Sequence, residues 1–395
     1  MKYLFNLHNV LCSAFILFVI YLLALLPAQF EVLDPVGKAL EDFQLSDIVF
    51  TELRENPAAH EDIVLVNIKH LDRGTIGKQI DALNEHNPAI IGIDAFFKEK
   101  KDFENDFRLM LSLDATDSLV MVTKLLNPDE DGECFDSLQT SESQFIENAF
   151  SGYANFITSP GVFKTTREFA PHFCYKDTFA LSFTSEIARL HAPEAFEYLM
   201  SRGNNEETIN WRGNYKKFFS IDAEDVFDED FDLSFIEGKI ILMGFLGERE
   251  IGEPSLEDTF FTPLNEVTGG RSVPDMFGVT VHANILSQIL DQDYINAIPD
   301  SINIIVALLL LYLNVSFFMW VGNHYKIYYD LITKSIQIVE VIILFGINLL
   351  ALSVFSWKAD FTIAIVAVLF CGDLTELYVG SLVDIGRKIR NKLFS

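Results

Sequence analysis

Four apolar segments of bilayer length constrain this chain more than any other feature of its sequence. One lies near the N-terminus, at residues 10–26, and three follow one another near the C-terminus, at 302–321, 336–355 and 361–379. About 20 apolar residues in a helix span the hydrocarbon core of a bilayer, and helices that are apolar on every side are not stable in water. The sequence therefore predicts four transmembrane helices, with membrane lipid as a partner.

The first apolar segment has an alternative interpretation as a cleaved signal peptide, because Lys2 precedes it. Its uncharged run is longer than the apolar core of most signal peptides, and Leu26-Pro27-Ala28 at its end is a poor cleavage site. These two features favour an uncleaved transmembrane anchor over residues 1–30.

Positive side chains near the helix ends predict the orientation. Lys2 precedes the first helix, Lys326 and Lys334 lie between the second and the third, and a basic tail at 381–395 follows the fourth. Lys and Arg that flank transmembrane helices are retained in the cytoplasm. Both termini are therefore predicted to be cytoplasmic. Residues 31–300 face outward, and residues 301–380 form a three-helix transmembrane bundle.

The stretch between the first and second helices is strongly acidic. The chain has a formal net charge of −28, and residues 31–300 carry it because the remainder is slightly basic. Such a surface repels phosphate backbones, which excludes nucleic acid as a partner. The acidic run from Asp228 to Asp232 has Leu233 where a calcium-binding EF-hand loop needs glycine. We therefore predict neither a metal site nor a cofactor.

Two carboxylates lie inside the last apolar segment. Asp373 and Glu376 are three residues apart, which places them on one face of a helix. Charges at that depth are costly and usually face other helices or a watery cleft. One interpretation is a coupling contact or relay to another protein. The other is that the helix begins later, so that both residues lie near its inner end.

The acidic stretch has the pattern of an α/β domain. Residues 63–68, 89–94 and 119–123 are β-branched runs typical of buried strands, and helical spacing separates them at 77–86 and 102–113. This order predicts one extracytoplasmic three-layer domain with a mainly parallel sheet and right-handed crossovers. The second half is predicted to contain a helix at 179–190, strands at 208–212 and 238–247, a helix at 281–290, and long loops at 127–148 and 245–275.

Two of the four cysteines lie in the outward-facing stretch. In an oxidising compartment Cys134 and Cys174 could form a disulfide, and two free thiols are the alternative. Cys12 and Cys371 fall within transmembrane segments, where they are expected to behave as small apolar residues.

Several segments of the acidic stretch together resemble a known family. They are IVLVNI at 63–68, AIIGIDAFF at 89–97, GVFKTTREF at 161–169, INWRG at 209–213, GKIILMG at 238–244, DTFFTP at 258–263 and GVTVHANILSQIL at 278–290. Over residues 40–295 this order resembles the type-two CHASE domain, an extracellular sensing module of bacterial signalling proteins. The last two segments are the most specific.

The resemblance implies a place in the cell and a role. Family members carry one helix, this domain, three helices and then a cytoplasmic kinase or cyclase, whereas about 15 residues follow the last helix here. We therefore expect a multi-pass protein of the bacterial inner (cytoplasmic) membrane, with residues 31–300 in the periplasm and the output supplied by a separate protein. The chain also departs from the family, with Asn67-Ile68-Lys69 in place of Ala-Ile-Asp and GTIGKQI at 74–80 in place of a Trp-Pro-rich segment.

Five polar residues are candidates for binding a ligand. Asp94 ends a buried strand, and ligands of parallel sheets bind at the carboxyl ends of strands. If Asp258 lies beside His282, the two form a carboxylate–imidazole pair that could bind a ligand or respond to pH. The alternative is structural, with capped backbone groups and a buried histidine. The ligand-binding candidates are Asp94, Asp258, Thr262, His282 and Asn284.

These observations favour a sensor that binds a small ligand or protein outside the membrane and signals through a separate membrane or cytoplasmic protein, with a homodimer as a further expectation. A structural subunit of an envelope membrane complex is the alternative, because the altered residues 67–80 could mean a lost pocket. No nucleophile signature is present, so we expect no catalytic residues and no enzyme activity. A hydrolase that uses Asp258 and His282 is a third, less supported hypothesis.

Overall fold

The computed structural model describes residues 6–25, 45–129, 134–159, 164–265 and 273–383, and it forms two compact units. One unit is Pro35–Ile295, and the other combines Met1–Asp34 with Asn296–Ser395. The division thus separates the acidic stretch from the apolar helices. Lys2 and residues 384–395 of the basic tail, both used to predict the orientation, lie outside the described residues.

A mixed but mainly parallel sheet forms the centre of the unit Pro35–Ile295, as the sequence predicted. The strands of this unit are β1 (His60–Asn67), β2 (Ile90–Ile93), β3 (Leu119–Pro128), β4 (Cys134–Gln139), β5 (Phe150–Tyr153), β6 (Ile157–Thr158), β7 (Thr166–Phe169), β8 (His172–Tyr175), β9 (Thr178–Leu181), β10 (Glu207–Thr208), β11 (Phe218–Ile221), β12 (Ile240–Gly244), β13 (Thr259–Phe260) and β14 (Met276–Phe277).

The strand order of the central sheet is β11-β1-β12-β2-β3-β4-β8-β9, with β5 paired to β3. The strands around β1, β12, β2 and β3 run parallel, whereas β4 and β9 are antiparallel to a neighbour.

The buried strands are apolar on both faces because helices cover both sides of the sheet. In β1, Ile63 and Leu65 belong to one apolar core and Val64 and Val66 to the other. Successive side chains of a strand point to opposite faces, so a continuous apolar run supplies both cores. The helices of this unit are Leu45–Ile48, Arg73–Asn84, Phe103–Asp114, Ser143–Ile146, Phe183–His191, Pro193–Ser201 and Gly278–Asp291.

Each core lies between the sheet and a different set of helices. Helices Arg73–Asn84 and Phe103–Asp114 contribute to the core that contains Val64. Helices Phe183–His191 and Gly278–Asp291 contribute to the core that contains Ile63. The result is a helix–sheet–helix arrangement in which the second pair of helices approaches the carboxyl ends of the central strands.

The structure corrects three local predictions. The predicted strand at 208–212 is reduced to β10, Glu207–Thr208, and residues 209–213 form no strand. The predicted helix at 179–190 begins later, because Thr178–Leu181 is the strand β9 and Ser182 caps the helix that follows by accepting a hydrogen bond from the Ser185 amide. The predicted loops at 127–148 and 245–275 contain the strands β4 and β13. Strand β4 is the return strand of a hairpin with β3, and its side chains are only half-buried, so the sequence shows no apolar run there. Strand β13 has only two residues, which is too short for a local pattern.

Cys134 and Cys174 lie opposite each other in β4 and β8, and the structure joins them in a disulfide. Cys12 and Cys371 are free and buried. The disulfide thus fastens the mixed edge of the sheet, where short strands replace the long parallel ones.

The second unit consists mainly of apolar helices. Three of them are long and apolar enough to cross a membrane, namely Asp300–His324, Lys326–Phe355 and Thr362–Ser381. The N-terminal apolar helix Leu7–Leu23 is shorter. It packs against the helix Asp300–His324 and the last helix through a buried cluster that includes Cys12, Ile16, Leu311, Val315 and Cys371.

Candidate functional site

Three of the five candidate residues come together at the carboxyl ends of the central strands. Asp94 directly follows β2, and its amide donates a hydrogen bond of 2.8 Å to the carbonyl of Met243 in β12. The Asp94 carboxylate lies 3.9 Å from Nε2 of His282 in the helix Gly278–Asp291. The carboxylate placed beside His282 is therefore Asp94, whereas the sequence had predicted Asp258 there. Asp258 joins the group because its charge acts on the Asp94 carboxyl. We call Asp94, Asp258 and His282 the carboxyl–histidine cluster.

His282 is a buried, neutral imidazole. It is 3% exposed and lies between two aromatic rings, with centroids 4.6 Å from Phe156 and 5.1 Å from Phe183. Burial lowers the pKa of His282 to about 3. Neither ring nitrogen has a hydrogen-bond partner among the residues that the structure describes. Buried polar groups without partners are uncommon in folded proteins, so the imidazole is a candidate to bind something else.

The two carboxyls of the cluster have raised pKa values. Burial raises the pKa of Asp94 well above its ordinary value, and the nearby Asp258 raises it further. Burial, with a smaller effect from Glu257, raises the pKa of Asp258 to about 7. Both shifts favour the protonated form of the carboxyl. A protonated carboxyl can donate a hydrogen bond as well as accept one.

A close approach fixes Asp258 at the start of the helix Gly278–Asp291. The carbonyl of Asp258, a residue with a φ of 50°, accepts a 3.0 Å hydrogen bond from the Gly278 amide. A Cβ atom on Gly278 would lie 3.0 Å from the Asp258 carboxylate. Glycine at 278 therefore lets the carboxylate reach the helix N-terminus, which links the DTFFTP and GVTVHAN segments.

Thr262 and Asn284 have different neighbours from the cluster. The Thr262 hydroxyl donates a 2.5 Å hydrogen bond to the carboxylate of Asp275. The Asn284 side chain accepts from the amides of Arg212 and Gly213, at 2.8 and 3.1 Å, and donates to the Gly213 carbonyl at 2.9 Å. Asn284 thus holds the INWRG segment against the helix. This is the structural role that the sequence analysis gave as the alternative to ligand binding.

The departure at residues 67–69 fills the carboxyl end of β1. The Asn67 side chain accepts hydrogen bonds from the amides of Lys69 and Leu246 and donates to the carbonyl of Gly247. The Lys69 ammonium lies 2.6 Å from the Glu224 carboxylate and 3.3 Å from that of Asp222. The lysine occupies the end of this strand with an internal ion pair, so this strand end is closed by the protein's own side chains.

Sequence patterns did not indicate the polar network that joins the two chain ends of the domain. The Arg54 guanidinium donates to the Asn210 side chain and to the carbonyl of Trp211, and lies 3.7 Å from the carboxylate of Asp293. Arg212 forms an ion pair with Asp291. We call this network of Arg54, Asn210, Arg212, Asp291 and Asp293 the junction.

The junction depends on residues that are far apart in sequence, so no local pattern indicates it. The Asn210 side chain also donates to the carbonyl of Asp293 at 3.1 Å. Residues just before β1 and just after the helix Gly278–Asp291 thus meet on the INWRG segment.

The two carboxylates in the last apolar helix lie on the surface of their unit. Lys334 forms a 2.5 Å ion pair with Asp373, whose side chain is 60% exposed, and Glu376 is exposed as well. In neither unit do the described residues include a group of three or more His, Cys, Asp or Glu side chains placed to hold a metal ion.

The comparisons with known proteins agree with this geometry. The model of one protein family, the CHASE2 domain, matches residues 14–316. No curated protein and no solved structure matches the chain. The matched region contains the whole α/β unit, with its carboxyl–histidine cluster and its junction. The chain therefore belongs to the CHASE2 family, whose domain is an extracellular sensor.

Proposed function

We propose that the chain is a membrane-bound sensor of the bacterial inner membrane. Residues 31–300 lie in the periplasm and bind a small ligand or protein, four helices hold the chain in the bilayer, and both termini are cytoplasmic. A separate membrane or cytoplasmic protein reads the signal, and the sensor itself is not an enzyme. The positive-inside pattern at Lys326 and Lys334 supports this orientation.

The junction is the observation that carries this proposal. Arg54 precedes β1 on the chain that comes from the first apolar helix, and Asp293 precedes the next apolar helix, Asp300–His324. Any ligand that moves the INWRG segment therefore acts on both connections to the apolar helices. A ligand can shift an equilibrium only through contacts that differ between two states, and the junction supplies contacts that can be made or broken.

The exposed carboxylates of the last helix support a separate protein partner. A charge that faces hydrocarbon is costly, and Asp373 and Glu376 lie on the outside of their unit. Only Asp373 has an ion-pair partner, Lys334, among the described residues. A polar helix of a partner, or a second copy of this chain, would solvate these groups.

Native purification of the tagged chain with mass spectrometry tests the proposal. We expect the wild-type chain to capture a partner and Asp373→Asn with Glu376→Gln to lose it while still inserting into the membrane. Arg54→Gln with Arg212→Gln should change the amount captured, because it breaks the junction. Partner capture that is indifferent to both pairs of substitutions would refute the sensor.

A structural subunit of an envelope complex remains the second candidate. The observation that favours it is Lys69, whose ion pairs with Asp222 and Glu224 close the end of β1. In the same purification a scaffold gives partner capture at fixed stoichiometry, whether or not the junction is intact. The two candidates therefore predict opposite results for Arg54→Gln with Arg212→Gln.

A further inference from the structure

A cavity of about 660 Å³ lies beside the junction. One wall is the segment from Phe50 to Pro57, which precedes β1, and another is the INWRG segment with the residues that follow it to Lys217. Leu264, Asp275 and Met276 close the remaining side. Small-molecule sites in proteins have volumes of about 300–1,000 Å³, so the cavity is large enough for a metabolite.

The lining of this cavity is richer in cations than the rest of the protein. It includes four cationic side chains, Arg54, Arg212, Lys216 and Lys217, against two carboxylates, Glu55 and Asp275. The whole chain, in contrast, has a net charge of −28. Because Arg54 and Arg212 are paired with Asp293 and Asp291, the attraction for an anion comes from the two lysines.

Two of the cations have hydrogen-bonding capacity left. Lys217 donates to the carbonyl of Pro57, which uses one of its three N–H groups, and Lys216 is exposed. Gly213, with a φ of 152°, makes room for the Lys217 stem, since a Cβ there would lie 2.5 Å from its Cγ. The glycine of INWRG thus serves to place a lysine at the cavity wall.

The other two cations are engaged in the junction. Arg54 is bonded to Asn210 and Trp211, and Arg212 to Asp291. Of the acidic lining groups, Asp275 is committed to Thr262, and Glu55 is exposed. The lysines are therefore the groups available to a bound anion.

The cavity also offers apolar surface. Phe50, Leu264 and Met276 contribute apolar side chains to its lining, beside Trp211. Ligand sites in proteins are lined mainly by apolar and aromatic side chains with a few polar groups, and this lining has that composition.

We propose that this cavity binds a small organic anion, a carboxylate attached to an apolar body. The carboxylate accepts hydrogen bonds from Lys216 and Lys217, and the apolar body contacts Phe50 and Met276. Thr262 and Asn284 then belong to the same site as supporting residues, because Thr262 holds Asp275 and Asn284 holds the backbone at Arg212. That the bound anion is the input of the sensor rests on the function proposed above.

The test uses the full chain in lipid nanodiscs and two probes with the same rings, 2-naphthoate and its neutral amide, 2-naphthamide. Ligand-observed NMR titration measures both affinities. We expect 2-naphthoate to bind about tenfold more tightly than the amide, because one charge-assisted hydrogen bond changes a dissociation constant by about that factor. Lys216→Gln with Lys217→Gln should weaken 2-naphthoate binding by about tenfold or more and leave the amide unchanged.

One further variant controls this test. Lys100→Gln removes an exposed lysine outside the cavity lining and should leave both affinities unchanged. Any of three results would overturn the proposal. The wild-type chain does not bind 2-naphthoate, it binds the two probes with equal affinity, or replacement of Lys216 and Lys217 leaves the affinity for 2-naphthoate unchanged.

The site and the sensor can fail separately. If 2-naphthoate binds as expected but does not alter partner capture, the cavity is an anion site and its role as sensor input is refuted. If 2-naphthoate does not bind, while partner capture still depends on Arg54 and Arg212, the anion site is refuted and the sensor stands.

Discussion

The guanidinium of Arg54 lies 3.7 Å from the carboxylate of Asp293, although one residue precedes the first strand of the domain and the other follows its last helix. Asn210 contacts both, accepting from Arg54 and donating to the Asp293 carbonyl. A change in this one segment therefore reaches both chain ends of the domain.

Replacing Arg54 tests whether the junction stabilises the domain. Arg54→Gln removes hydrogen bonds to Asn210 and to the Trp211 carbonyl, and should lower the free energy of unfolding by about 2 kcal/mol, because hydrogen bonds to charged groups are worth about 1.5–3 kcal/mol. Thermal unfolding of the full chain in detergent measures the loss. The control is Arg108→Gln, which breaks the exposed pair with Asp81 and should cost less than about 1 kcal/mol. Equal losses for both variants would contradict a structural junction.

Asn284 is expected to matter more than its single side chain suggests. It is fully buried and makes hydrogen bonds to both amides and one carbonyl of Arg212 and Gly213. Asn284→Ala leaves these groups unpaired, and we expect a loss of about 2–4 kcal/mol in the free energy of unfolding. Asn84→Ala, which removes one half-buried hydrogen bond to Thr116, should cost about 1 kcal/mol by the same measurement. A loss at Asn284 no larger than at Asn84 would show that INWRG is held by other contacts.

The buried His282 should make the domain sensitive to acid. Its pKa is about 3 in the folded chain and 6.5 without the fold. Below pH 6.5 the unfolded chain therefore takes up a proton that the folded chain does not, and stability falls as the pH is lowered toward 3. The side chain in His282→Phe cannot titrate. The free energy of unfolding of this variant, measured relative to the wild type, should therefore be about 2 kcal/mol higher at about pH 5 than at about pH 8.

Chemical denaturation at the two pH values measures this gain. His191→Phe changes an exposed histidine on the helix Phe183–His191 and serves as the control. Its stability should depend on pH in the same way as that of the wild-type chain. If His282→Phe retained the acid sensitivity of the wild type, the imidazole would not be the group responsible.

The disulfide should stabilise the mixed edge of the sheet. Cys134 and Cys174 close a loop of 40 residues, and a cross-link of that length stabilises a fold by about 2–4 kcal/mol. Cys134→Ser with Cys174→Ser should lower the unfolding temperature accordingly. Thiol counting in denaturant supplies the check, because the unreduced chain should show only the two thiols of Cys12 and Cys371. Four reactive thiols without reductant would contradict the bond.

The parallel half of the fold was predictable, because its strands are buried on both faces. A continuous apolar run such as 63–68 or 89–94 is buried on both faces only in a sheet that helices cover on both sides. The structure has the strands β1 and β2 at these runs. The edge strand β11 pairs with β1, which is distant in sequence, so local periodicity did not indicate it. Strands β8 and β9 pair with each other across a short turn, and β9 was missed because Thr178–Leu181 was predicted to belong mostly to the following helix.

The candidate site was also predictable in part. The rule that ligands lie at the carboxyl ends of parallel strands located Asp94, and the resemblance located Asp258 and His282. Thr262 and Asn284 were grouped with them, but they hold the walls of the cavity beside the junction. That cavity could not be predicted, because residues 50–57 and 211–217 meet only through tertiary contacts.

Thiol labelling of intact spheroplasts is the most direct test of the central claim, that the CHASE2 domain faces the periplasm. The native cysteines are either disulfide-bonded or buried, so a single new cysteine reports its own location. A membrane-impermeant maleimide should label Lys100→Cys, an exposed position of the domain, in intact spheroplasts. It should label Lys326→Cys, between two apolar helices, only after the membrane is disrupted. Labelling of Lys326→Cys but not Lys100→Cys in intact spheroplasts would contradict the account.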